Sequence, residues 1–294
     1  MTLLIGYSPH KDDLGVIELA CQLARSDAQN VHALTVVPQG WATAVAGDTD
    51  RDFQEWAAAE GEASSAEALR HLATQPDVES AADWVSGRSV PQALLDQIER
   101  VDASMIVVGS GENGPRGYVT VTSKTDRLLH SSSVPIAIAP RGYHAGPSAR
   151  VVRVTVGFRD DDATWTLLSR TADICRRTGA NLRLVTFALR HKSMVTSGVS
   201  GAEDLVFAQW RRQAQAGQAE AVDYLRSQGF TDDTLETVVA EGRSWGGAMD
   251  TMEWGRGDVL VVGSSSTHKL AQVFLGSSAA KILRNSTVPV VVVP

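Results

Sequence analysis

The chain has 294 residues, 43% of them hydrophobic and 21% charged, which describes a folded globular protein with room for two ordinary domains. Acidic residues outnumber basic ones, 34 to 27, for a net charge of −7, and no long basic run occurs. That balance lacks the electrostatic footprint of a nucleic-acid partner. No apolar run approaches the ~18 residues of a membrane span, and no signal-type segment precedes the first strand. The two cysteines, Cys21 and Cys175, stand outside any Cys-x-x-Cys spacing and fall in predicted helix interiors. They read as small buried apolar residues in a reducing compartment, so a cytoplasmic location is expected.

Leu3 to Tyr7 forms a short apolar run ending at a turn. A helix follows, with Leu14, Ile17, Leu19, Ala20, Leu23 and Ala24 on one broad face. Val31 to Val37 is a second strand, and 41–50 a polar loop. A long Ala- and Glu-rich helix covers about 51–75, and a third strand runs from Val78 to Val85, ending at Gly87. A short helix leads to a fourth strand, Ser104 to Gly109. A loop, a last helix and a fifth strand, Ile136 to Ala139, complete the set. The stretch Arg141 to Arg150 holds Gly142, Gly146 and Pro147 without apolar periodicity, and reads as a linker.

The order then repeats. Val154 to Phe158 is a strand, a helix runs through Arg177, and Leu182 to Phe187 is the next strand. A polar loop (190–201), a long helix (202–228), a strand from Leu235 to Ala240 and a short helix lead to Asp258–Gly263. The chain ends on Val290 to Val293 and Pro294. Gly109, Ser123 and Pro135 return as Gly263, Ser277 and Pro289, each 154 residues later. Two copies of one domain are therefore expected, at 1–143 and 150–294. Strands alternating with helices imply right-handed crossovers and a parallel sheet in each. Near-continuous apolar strands suit burial on both faces.

In such open sheets ligands bind beyond the carboxyl ends of the strands, where strand order reverses. The second copy has Gly263-Ser264-Ser265-Ser266 there, then Gly276-Ser277-Ser278 opening the last helix. Small residues let the backbone close around phosphates, and the free N–H groups of a helix start attract anions. The simpler alternative is that Gly263 makes a turn and Ser277 is an N-cap. The first copy has Glu112 and Thr122 at the places of Ser266 and Gly276. A carboxylate ~4 Å from a phosphate costs about 4 kcal/mol at an effective dielectric of ~20. Thr122 adds a β-branched side chain where backbone would approach a ligand. The first copy therefore reads as a structural or partner-binding half.

Glycine, two residues, a small residue, nine more and Gly-Ser, placed between a buried strand and a helix running into Val-Pro-Val-Val-Val-Val, resembles the universal stress protein family. The openings Ile5-Gly6-Tyr7 and Val156-Gly157-Phe158 fit the same pattern. The resemblance covers both copies. It implies five-stranded parallel sheets of order 3-2-1-4-5 with helices on both faces, a doubly wound α/β fold. It also implies ATP or a related adenine nucleotide as a ligand in many members. Carried onto the second copy, the site comprises Gly157, Phe158 and Arg159 after strand one and Val185 near the base. Val262, Gly263, Ser265, Ser266, Gly276, Ser277 and Ser278 surround the phosphates and ribose. Family members that bind ATP have an aspartate where Arg159 and, in the first copy, Ser8 stand, which puts base recognition in question. Asp160, Asp161 and Asp162 follow; they could hold Mg²⁺ or cap the helix near Ala163. Pairing of the two fifth strands would give an internal pseudo-dimer, with further homodimerisation open.

The seven histidines show no ligand spacing, so zinc or iron is not expected. His268 in the second copy's loop reads as solvated. Trp56 and Trp210 in the long helices read as core or interface residues. No nucleophile elbow, Walker-type lysine or general base is evident. The expectation is a non-enzymatic, nucleotide-responsive stress regulator acting on an unknown protein partner. Two readings stay open beside it: an interaction scaffold without nucleotide, and a weak ATPase.

Overall fold

The computed structural model describes residues 1–9, 14–40, 48–190, 202–264 and 275–294. The first copy runs β1 (Thr2–Tyr7), α1 (Gly15–Ser26), β2 (Asn30–Pro38), α2 (Asp48–Leu72), β3 (Ser80–Gly87), α3 (Val90–Arg100), β4 (Ala103–Gly109), α4 (Ser123–Ser131) and β5 (Ile136–Ala139). The second runs β6 (Arg153–Gly157), α5 (Asp162–Thr178), β7 (Asn181–Leu189), α6 (Ala202–Ser227), β8 (Leu235–Gly242), α7 (Trp245–Met249), β9 (Asp258–Gly263), α8 (Ser277–Arg284) and β10 (Val290–Val293).

All ten strands form one sheet of order β3-β2-β1-β4-β5-β10-β9-β6-β7-β8, so each copy has the order 3-2-1-4-5. Pairing within each copy is parallel. The copies meet where β5 and β10 pair antiparallel, with Val291 opposite Ala137. Helices α1, α2, α5 and α6 cover one face, and α3, α4, α7 and α8 the other. The strands between are buried on both sides, which is why they read as unbroken apolar runs.

Local chemistry sets several boundaries. Ser89 caps α3 by accepting from the Gln92 amide at 3.4 Å, with Pro91 in the first turn. Asp161 and Thr164 form a reciprocal capping box at α5, and Gly179 ends that helix in the left-handed region, φ 74°.

Several sequence expectations need correction. The long helices start and end up to three residues from their predicted bounds, β3 starts at Ser80 rather than Val78, and α7 has only 5 residues against 11 in α3. Trp56 and Trp210 are not core residues; both are exposed. The linker is docked rather than loose. Fully buried Gln22 donates to the Arg150 carbonyl at 3.1 Å, and Arg25 donates to the Ala149 carbonyl at 2.7 Å. Asp27 pairs with Arg177 of the other copy at 2.6 Å. Polar residues inside α1 were thus placed to hold the chain between the copies.

Candidate nucleotide site

The first copy shows the site's full outline. A cavity of about 350 Å³ opens at the carboxyl ends of β1 and β4. Its walls include Gly6 and Tyr7 at the end of β1, Ser8 just after it, Leu34 from β2, and Val108 and Gly109 from β4. Thr122, Ser123 and Lys124 close it at the start of α4. The repeat maps these onto Gly157, Phe158, Arg159, Val185, Val262, Gly263, Gly276, Ser277 and Ser278. Gly111 and Glu112 also line the cavity; their counterparts Ser265 and Ser266 lie outside the described residues.

The two copies differ at the helix that faces the loop. In the first, Thr122 is the N-cap of α4; its hydroxyl accepts from the Thr125 amide at 3.2 Å. A neighbouring loop network fixes the loop that borders the cavity. Ser110 donates to the Ala139 carbonyl at 2.6 Å and accepts from the Thr120 amide at 3.0 Å. Val119 donates to the Ser286 carbonyl at 3.0 Å, which ties the loop to the second copy. In the second copy the N-cap is Gly276, which has no side chain to cap the helix, and Ser277 is the first helical residue. Ser277 is therefore not the cap that the simpler sequence reading made it. The first turn of α8 presents amides and the side chains of Ser277 and Ser278, with no capping carboxylate or hydroxyl of its own.

Around strand one, the residues separate. Gly157 ends β6, where an added Cβ would touch Val262 at 3.6 Å. The Phe158 amide donates to the Val185 carbonyl at 2.8 Å. Its ring turns toward α5, edge-on to Trp165 with centroids 5.4 Å apart, so only its backbone borders the site. Val185 is fully buried in the middle of β7. Arg159 is exposed and pairs with Asp161 at 2.7 Å. Burial pushes the Asp161 carboxyl up, but the Thr164 amide, Arg159 and the Thr164 hydroxyl together hold it below the usual range. Asp160, at φ 52°, accepts from the Trp165 indole N–H at 2.9 Å and packs over Gly217 of α6. The acidic run thus caps α5 and anchors the loop. Among the described residues, no three His, Cys, Asp or Glu side chains converge on a metal-sized site.

Sequence reasoning missed the wall supplied by α3. Leu94 lines the first cavity and would lie 3.2 Å from a Cβ at Gly6. Aligning Gly87 with Gly242 makes buried Met249 its counterpart. That alignment was the available signal.

Fold and site together define a tandem pair of doubly wound α/β domains, each with a glycine ending its fourth strand ahead of its last helix. The universal stress protein family profile matches residues 1–140 and again 151–294. The chain belongs to this family. A universal stress protein of Mycobacterium tuberculosis is 34% identical over 296 residues, covering 100% of both chains. A universal stress protein of Archaeoglobus fulgidus shares the fold, with a TM-score of 0.63 at 16% identity, over 99% of this chain and 97% of that one. Another from Archaeoglobus fulgidus, solved in complex with dAMP, covers 47% of this chain and 97% of its own, at 20% identity and a TM-score of 0.36. No described helix is long and apolar enough to cross a membrane.

Proposed function

We propose that this protein is a nucleotide-responsive regulator that binds one adenine nucleotide, ATP or a relative, in its second copy. The carrying observation is the contrast between Gly276, which brings no capping side chain to α8, and Thr122, whose hydroxyl caps α4 and whose side chain borders the first cavity. Phosphates would meet the first-turn amides and the Ser277 and Ser278 side chains. The base would lie over Val185, whose counterpart Leu34 lines the cavity of the first copy. Adenine as the base follows from what family membership implies, not from a residue of this chain. The response is conformational: an occupied site stabilises the arrangement of the Gly263–Ser278 loop that contacts phosphate.

Titration calorimetry with ATP and Mg²⁺ tests the assignment. A carboxylate at Ser277→Glu, ~4 Å from a phosphate, costs about 4 kcal/mol at an effective dielectric of ~20, or roughly three decades in affinity. Ser123→Glu in the first copy leaves the titration unchanged. An ATP affinity insensitive to Ser277→Glu would refute the site. One observation favours a scaffold without nucleotide: Arg159 is held by Asp161 and offers donors only. That reading predicts no heat with any nucleotide.

A further inference from the structure

Beside α2 lies a groove of about 700 Å³ that the nucleotide site does not use. Asp50, Phe53, Gln54, Ala57 and Ala58 line it, at the i, i+3, i+4, i+7 and i+8 positions of one helix face. Trp84 and Ser86, alternate residues of β3, form the other wall with Arg88 just beyond the strand. Two glycines let the aromatic rings seat there. A Cβ at Gly40 would lie 3.3 Å from Phe53 Cδ1, and one at Gly61 would lie 2.6 Å from Trp84 Cγ.

The second copy has a groove at the corresponding place, about 590 Å³, of a different character. Arg211, Asp223, Arg226 and Glu241 line it, and among the described residues no aromatic ring does. Arg211 approaches Glu241 at 3.6 Å across the space between α6 and β8. Arg190 lies over the Phe207 ring at 4.4 Å. Aligned through the repeat, Arg190, Arg211 and Glu241 stand where the first copy has Gln39, Ala57 and Ser86. Small or neutral residues thus replace two arginines and a glutamate, and Val239 gives way to Trp84. The first groove is aromatic where the second is ionic.

The charged residues lining the first groove are Arg88 and Asp50. Arg88 is exposed and makes no ion pair among the described residues, whereas Asp50 has an interaction of its own. A guanidinium fork matches a carboxylate through two parallel hydrogen bonds. A doubly charged anion would share the groove with Asp50 and lose to repulsion part of what Arg88 supplies. We propose that this groove is a second ligand site, for a flat aromatic carboxylate. Its volume is within the ~300–1,000 Å³ of small-molecule sites, with apolar walls and few polar groups. The ring system packs on Phe53 and Trp84, and the carboxylate meets Arg88. Gln54 and Ser86 supply hydrogen bonds at the ligand's edge. The site is independent of the nucleotide reading.

Anilinonaphthalene sulfonate, a fluorescent aromatic anion of single charge, tests this when titrated into the full chain. The wild type binds the probe saturably; naphthoate displaces it and naphthylmethylammonium does not. Arg88→Glu weakens the probe by roughly tenfold or more, because a charge-assisted contact becomes a repulsion. Ala57→Arg with Ser86→Glu, which installs the second copy's ion pair, removes binding. Circular dichroism checks the fold of each variant, and exposed Arg88 carries the test should the double change unfold the protein. Excess ATP with Mg²⁺ leaves the probe in place, so failure here and failure of the nucleotide site are separate results. A wild type without saturable binding overturns the proposal. So does an affinity indifferent to Arg88→Glu, or displacement by naphthylmethylammonium as readily as by naphthoate. Displacement by ATP, or loss of the probe in Ser123→Glu, assigns it to one of the strand-end cavities and overturns the proposal too.

Discussion

Gly61 sits inside α2, where helix propensity alone favours alanine by about 1 kcal/mol. The structure predicts the opposite sign. A Cβ on Gly61 would lie 2.6 Å from both Cγ and Cε3 of the Trp84 indole. Ordinary contact would need the ring to retreat by about an ångström, and the ring is held by β3 beneath the helix. Overpacking of that kind costs about 1–3 kcal/mol. Subtracting the propensity gain leaves Gly61→Ala destabilising by up to ~2 kcal/mol, or a few degrees in Tm. The second copy supplies the control, because Gln215 and Val239 occupy the positions of Gly61 and Trp84 and line one groove. Trp84→Val should therefore make Gly61→Ala harmless or stabilising. Thermal unfolding followed by circular dichroism decides it. A higher Tm for the single Gly61→Ala variant would refute the packing argument.

Three further outcomes are expected. Asp27 is held below the usual carboxylate range, chiefly by its hydrogen bond to Arg177. A depressed folded pKa adds stability above the unfolded value of ~3.9 and loses it as pH falls through the folded one. Asp27→Asn should therefore lower the urea midpoint at pH 7, and its difference from wild type should shrink below about pH 4; a pH-independent difference would contradict this. Asp258, 3% exposed, pairs with Arg153 at 2.6 Å and lies 3.8 Å from buried Arg183. Asp258→Ala removes the buried carboxylate beside two guanidinium groups that keep the Glu253 carbonyl, Arg153 keeping Glu236 as well, and should cost about 1–3 kcal/mol in urea unfolding, whereas no measurable cost would mean the network is not coupled. Burial pushes the Cys21 and Cys175 thiols up to about 12. Both should resist iodoacetamide at pH 8 until the protein is denatured, and stoichiometric labelling of native protein would count against their burial.

The repeat was the most legible property of the sequence, since shared offsets locate both glycine loops and both fifth strands without any structure. The strands were readable because burial on both faces leaves an unbroken apolar run, as at Val290–Val293. The Asp161 cap was readable too, because a carboxylate before a helical pattern has a local reason to be there. Less was visible where the decisive contact is distant. Gln22 and Arg25 are polar residues in a helix, and their burial is explained by the docked linker together with the Pro76 carbonyl and Gln75 that Arg25 also reaches. Phe158 belongs to the opening motif, yet its ring turns to α5 because Trp165 and Tyr224 stack there. Val185 falls in mid-strand because β7 continues to Leu189. Trp56 and Trp210 were read as core or interface residues without a choice between the two, because an alanine-rich helix has no sharp apolar stripe to decide it. Ser265, Ser266 and His268 lie outside the described residues.

The central claim is one working nucleotide site per chain, in the second copy. Protein purified without added ligand should be denatured and its supernatant resolved by chromatography with mass detection, in parallel with the Ser277→Glu variant. The account predicts about one adenine nucleotide per chain in the wild type and none in the variant. Two nucleotides per chain would contradict the reading of the first copy as a structural or partner-binding half. None, followed by no heat on titration with ATP and Mg²⁺, would contradict the claim itself.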